Sequence, residues 1–189
     1  MEAIKQYIES FVSPTPDEYA YFEQFVQYAY FPKNALLHRV GEVCGRVFFV
    51  LEGILRYYYI NPVEDVEGTT WFVSAGDLAT DVYSLLSRQE SYINIIACTD
   101  VRTAFISAED LERVYASGST WERFGRLSMA QYLVESTYRN HELQFHSATE
   151  RYHRLLAKNP HLLWHIPLSH IASYLGVSLE TLSRIRAKR

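Results

Sequence analysis

Ser178, Leu179, Glu180, Thr181, Arg184 and Lys188 crowd the end of the 189-residue chain, and their types suit reading a base-paired duplex. Arg184 can give a bidentate contact to a guanine edge, and Glu180 can accept from a cytosine amine. Hydroxyls such as those of Ser169, Ser178 and Thr181 suit phosphate oxygens, which position a helix without reading sequence. Leu179 cannot hydrogen-bond a base edge but can touch a thymine methyl. The elements that must hold these side chains are two short helices and a tight turn. The first spans about Leu168 to Tyr174, with Ile171, Ala172 and Leu175 facing inward. Gly176 supplies the turn, since only glycine takes positive φ at little cost. Ser178 is placed to cap the second helix. Leu182 and Ile185 fall on one side of that helix, and Thr181, Arg184 and Lys188 on another. This is a helix-turn-helix pattern, whose second helix is a candidate for the DNA major groove.

A helical hairpin that merely packs is the plainer reading, and the charge distribution opposes it. Residues 151–189 hold seven Lys/Arg against one acid, while residues 1–150 hold eleven bases and twenty-one acids. Segregating positive charge onto the end that carries the candidate reading helix is what a phosphate-binding surface requires.

The composition is that of an ordered globular chain, and fifteen tyrosines with ten phenylalanines favour strands and thick packing layers. No apolar run approaches the roughly twenty residues needed to span a bilayer, and no signal-peptide pattern opens the chain. Cys44 and Cys98 are isolated thiols, too few for a four-cysteine iron–sulfur cluster. The expectation is a cytoplasmic, non-enzymatic protein with no metal and no cofactor.

Residues 1–28 read as helical, with Ile4, Ile8 and Phe11 in register, a break at Pro14–Asp17, and Asp17 as the cap of a second helix. Short aromatic and β-branched runs follow. Strands are expected at 29–31, 35–39, 46–52, 53–60, 68–73, 77–79, 91–97 and 101–107, which argues for a sandwich or barrel. Ser107 is placed to cap a short helix. A long helix then runs from Thr120 to about Phe145, with Phe124, Leu127, Val134 and Tyr138 on one line and Trp121, Met129, Tyr132 and Leu133 on other faces. Such a helix needs cover on more than one side, either within the monomer or from a partner's identical helix. Ser147 caps a further helix, Ala148–Lys158. His161 to Trp164 and His165 read as core of the small C-terminal domain.

This order of elements resembles the cyclic-AMP receptor/FNR (Crp/Fnr) family of bacterial transcription regulators. The resemblance rests on Leu37-His38-Arg39-Val40-Gly41-Glu42, Val47 through Gly53, Ala75-Gly76-Asp77-Leu78, and Ile171-Ala172 through Ser178 and Glu180–Ile185. It implies an α+β fold in three parts. Residues 1–118 would be a cyclic-nucleotide-binding-like β-roll (a double-stranded β-helix) with N-terminal helices. Residues 119–146 would be a long dimerisation helix, and 147–189 a DNA-binding helix-turn-helix domain without the β-hairpin wing of many members. The resemblance implies double-stranded DNA, a second copy of the chain and RNA polymerase as partners, and a small-molecule effector of unknown identity. Ser178, Glu180 and Arg184 match the family's reading helix, while Leu179 stands where many members carry an arginine, so the half-site should differ from the best-known consensus. In nucleotide-binding members an arginine followed by Ser or Thr holds the cyclic phosphate. Aligning on Gly76-Asp77-Leu78, this chain offers Thr80, Asp81, Ser91 and Tyr92, with Arg88 three residues early in an expected loop. An unpaired buried phosphate is costly, so cyclic AMP is a poor effector here. These four residues either line a pocket for another molecule or fill the roll, and filling is the simpler reading.

Two rivals remain at this level. A metal-dependent cupin enzyme needs several histidines from adjacent strands, and the strand region offers only His38. The alternative to a regulator is a ligand-binding or protein-interaction β-roll module with a non-functional helix-turn-helix, which the absent wing and Leu179 favour and Arg184 opposes.

Overall fold

The computed structural model describes residues 1–61, 63 and 66–187. Two four-stranded antiparallel sheets face each other. One has the order β1 (Gln27–Phe31), β8 (Val101–Ser107), β3 (Arg46–Glu52), β6 (Leu78–Ala79). The other has the order β2 (Leu36–His38), β7 (Asn94–Ala97), β4 (Ile54–Asn61), β5 (Val66–Ser74). All eight expected strands form, with ends shifted by a few residues. Between the sheets lie Phe48, Val50, Leu55, Tyr57, Val73, Ile95 and Val101.

Strand β3 reads Val-Phe-Phe-Val-Leu without alternation because both of its faces are covered. Phe48 and Val50 point between the sheets, whereas Phe49 joins an outer cluster with Ile4, Ile8, Val114, Trp121 and Phe124. That outer layer is built from α1 (Glu2–Glu9), α2 (Pro16–Glu23), α4 (Ala108–Ala116) and the start of α5 (Ser119–Phe145). Helix α2 is capped by Thr15 rather than Asp17. Thr15 Oγ1 accepts from Glu18 N–H and Glu18 returns a bond to Thr15 N–H, so Pro16 takes the first helical position. At the β3–β4 turn Gly53 has φ of 94°, and a Cβ there would sit 2.3 Å from the Asp100 carbonyl oxygen. Only glycine fits that approach.

A short helix missing from the sequence reading, α3 (Val82–Ser87), follows β6 and is capped by Asp81, whose Oδ1 accepts from Ser84 N–H. Ser107 caps α4 and Ser147 caps α6 (Ala148–Lys158), as their positions implied. Helices α7 (Leu162–His165), α8 (Leu168–Leu175) and α9 (Leu179–Ala187) complete the chain. Together with α6 they enclose Tyr152, Leu155, Leu162, Ile166, Ile171, Ala172, Leu175 and Leu182, and this cluster continues onto Ile54 of β4. Trp164 is not core. Its single-turn helix buries Leu162 and leaves the indole 79% exposed.

Candidate nucleic-acid interface and effector cavity

Helix α9 buries one side and presents the other. Leu182 is fully buried against Ile171 and Leu175 of α8, and Gly176 takes the left-handed conformation (φ 65°, ψ 40°) that turns the chain between the two helices. Ser178 Oγ accepts from Thr181 N–H at 3.2 Å, the capping bond its position called for. Arg184 donates through a terminal nitrogen to Thr181 Oγ1 at 3.0 Å, which holds an exposed guanidinium along the outer face. Glu180 is exposed beside it, and its carboxyl is held below the usual range by backbone and Ser178 hydrogen bonds and then by Arg184. Leu179 is 44% exposed on the same short helix, and Ser169 is exposed on α8. Lys188 lies outside the described residues.

Not all of the terminal positive charge is free for phosphates. Arg151 donates to the carbonyls of Leu175 (2.9 Å) and His146 (2.5 Å), fastening the end of α8. Arg154 bonds the Tyr138 hydroxyl, and Lys158 lies over the same ring at 4.8 Å. Arg139, within α5, is buried. It stacks on Tyr174 at 3.8 Å, donates to the Tyr174 carbonyl and faces Glu142 at 3.6 Å. Sequence reading missed this residue because a lone arginine within a long helix carries no periodic signal.

Helix α8 also docks on β5. Arg56 is buried and donates to Thr69 Oγ1 (2.8 Å) and Glu67 (2.7 Å), with His170 Nε2 at 3.3 Å from the same guanidinium. Ser173 Oγ accepts from Thr69 N–H at 2.9 Å. Burial, and next the Arg56 charge, hold the His170 pKa below its ordinary value, with Glu67 opposing. The unfolded chain therefore binds more protons at this site. Stability should fall as pH drops from about 6.5 through the depressed value. His38, also depressed by burial, adds to the same trend. Thermal melts from pH 8 to 5.5 should show a shallower acid loss in His170→Asn than in the wild type, with His38 common to both. Equal slopes would remove His170 from this linkage.

Between the roll and α5 lies a cavity of about 530 Å³. Its walls include Tyr57, Trp71, Val73 and Leu85 on the roll side and Ser128, Met129 and Tyr132 on α5. Of the four sequence candidates, Thr80 and Asp81 line it. Thr80 Oγ1 donates to the Arg46 carbonyl at 2.9 Å, whereas Asp81 Oδ2 is buried with no partner. Ser91 and Tyr92 are a correction. The Ser91 hydroxyl is taken up by the backbone of Ile93, and Tyr92 is 71% exposed, pairing with Tyr83 on the surface. They sit before β7 begins rather than in it, so strand alternation does not turn them inward. Arg88 is not in a plain loop. It caps α3 in the left-handed conformation and reaches the cavity's edge.

Among the described residues no three His, Cys, Asp or Glu side chains gather as a metal site, and no helix is long and apolar enough to cross a membrane. Burial pushes the Cys98 thiol up to about 11, which suppresses its thiolate.

Two antiparallel sheets closed as a roll, with a cavity beside them, are joined by a long helix to a small C-terminal α-helical unit. Residues 28–117 match the family of the cyclic nucleotide-binding domain. FixK2 from Bradyrhizobium japonicum is similar at 20% identity, covering 86% of this chain and 83% of that one, with a TM-score of 0.74. A protein assigned to the crp/fnr family of transcriptional regulators from Eubacterium rectale is 17% identical over 91% and 82% of the two chains, with a TM-score of 0.72. The c-di-GMP responsive global regulator CLP from Xanthomonas campestris is 18% identical over 92% and 91%, with a TM-score of 0.69. At these identities the likeness is one of fold. No curated protein matches the sequence.

Proposed function

We propose that this protein is a sequence-specific DNA-binding transcription regulator of the Crp/Fnr type, acting as a homodimer on a near-palindromic site under an effector other than cyclic AMP. The observation that carries the reading is helix α9. It packs through Leu182 and presents Ser178, Leu179, Glu180 and Arg184 outward from a helix-turn-helix. In this reading Arg184 reads a guanine, Glu180 a cytosine amine and Leu179 a thymine methyl, while Ser169, Ser178, Thr181 and Lys188 meet phosphates. Dimerisation through α5 is supported by Leu133 and Val134, which stay 63% and 68% exposed in the single chain. Paired reading helices would sit about 34 Å apart, on successive major grooves. An effector held in the cavity between roll and α5 would bias the dimer between two arrangements.

Selection of bound duplexes from a random pool tests this directly. An inverted repeat with half-sites one turn apart is expected. Arg184→Ala should lose about 1–3 kcal/mol of discrimination at one base position. Sequence-blind, steeply salt-dependent binding would reduce the helix to a phosphate contact. No binding at low salt would overturn the regulator and favour the interaction module.

A further inference from the structure

The cavity's chemistry narrows what it accepts, taking the proposed effector role of that space as given. Asp81 is 5% exposed and uses only one carboxylate oxygen, on the Ser84 amide; Oδ2 is buried without a partner. A buried acceptor left unmade is costly, and a ligand donor would relieve it. The residues around the space include four carboxylates, Asp77, Asp81, Glu112 and Glu135, against one guanidinium, Arg88, so an entering anion meets net repulsion. Burial and then the Glu135 charge raise the Asp77 pKa, the sign of carboxylates lacking a counter-ion. The rings of Tyr57, Trp71 and Tyr132 line the same space, and aromatic rings attract cations over their faces. The volume, about 530 Å³, lies within the usual range for small-molecule sites.

We propose that this cavity binds an apolar amine, protonated at neutral pH, whose ammonium donates to Asp81 Oδ2 while its hydrocarbon body lies against Trp71, Val73, Leu85 and Met129. The bond is charge-assisted and therefore among the stronger hydrogen bonds available. Because Asp81 belongs to the roll and Tyr132 and Met129 to α5, such a ligand would tie the two together.

The test uses the full chain with N-phenyl-1-naphthylamine as fluorescent reporter, displaced by 1-naphthylmethylamine or by 1-naphthoate, which share a ring system and differ in charge. The cation should displace the reporter at about tenfold lower concentration than the carboxylate. In Asp81→Asn that preference should shrink to about threefold or less, since the amide keeps the α3 cap and replaces the free acceptor with a donor. Ser128→Phe, which fills the α5 side of the space, should abolish reporter uptake, and circular dichroism would verify that both variants fold. Equal or reversed preference in the wild type, a preference unchanged in Asp81→Asn, or no reporter uptake would overturn the proposal. Duplex selection without any probe reports separately on the regulator reading, so failure of one leaves the other standing.

Discussion

Trp121→Ala is expected to lower the unfolding free energy by about 3–5 kcal/mol, the usual cost of deleting a large buried aromatic. Trp121 is 1% exposed at the start of α5, the largest fully buried side chain in the core. It stacks on Phe22 of α2 at 5.0 Å and meets Tyr19 and Phe124 edge-on at 6.1 and 6.3 Å. Removing it takes away apolar burial and leaves a cavity that three rings and a sheet face cannot readily collapse into. Trp121→Phe should lose less, because a ring remains against Phe22. Urea denaturation read by circular dichroism measures both. A loss below about 1 kcal/mol for the alanine variant would show that α2 and α5 repack freely, contrary to this core.

Arg139→Ala is expected to cost a similar about 3–5 kcal/mol, by a different route. Its side chain is 9% exposed and that of Glu142 12%, so removing the guanidinium strands a buried carboxylate as well as the Tyr174 carbonyl. Arg139→Lys should rescue little, because a point charge cannot both stack on Tyr174 and fork between two acceptors. Replacing the pair together, as Arg139→Met with Glu142→Leu, should recover most of the stability, since apolar substitutes of similar volume often equal a buried ion pair. The double variant separates stability from coupling. Tyr174 lies two residues before the turn that leads into α9, so under the proposed DNA-binding role duplex affinity should stay reduced even where stability returns. Full recovery of both would confine Arg139 to a packing role.

Much of this architecture was legible because its signals are local. Eight strands, the long helix and the Ser107, Ser147 and Ser178 caps each follow from periodicity, turn residues or a hydroxyl at a helix start. The Ile171, Ala172, Leu175 and Leu182 core of the last two helices is likewise a spacing pattern. Thr15 was missed because both Thr15 and Asp17 are acceptable caps, and Pro16 decides between them only once the helix is placed. The α3 turn was missed because six residues carry too little periodicity. The cavity was only half legible. Thr80 and Asp81 sit at its wall, but Ser91 and Tyr92 depend on where β7 begins. Arg56 and Arg139 could not be found at all, since what makes them matter is a partner 114 residues away in one case and 35 in the other.

Helix α5 is gripped at both ends and bare between them. Trp121 and Phe124 are sunk into the roll's outer layer at one end and Arg139 is locked to Tyr174 at the other, while residues 129–135 between them are all exposed. Mechanically this is a beam resting on two supports. A sideways push at mid-span tilts such a beam at its bearings instead of sliding it along its axis. Whatever presses on residues 129–135, from the cavity side or from the opposite side, acts with leverage on the seat of Tyr174. In the proposed regulator, a displacement of α9 would therefore not have to originate at α9.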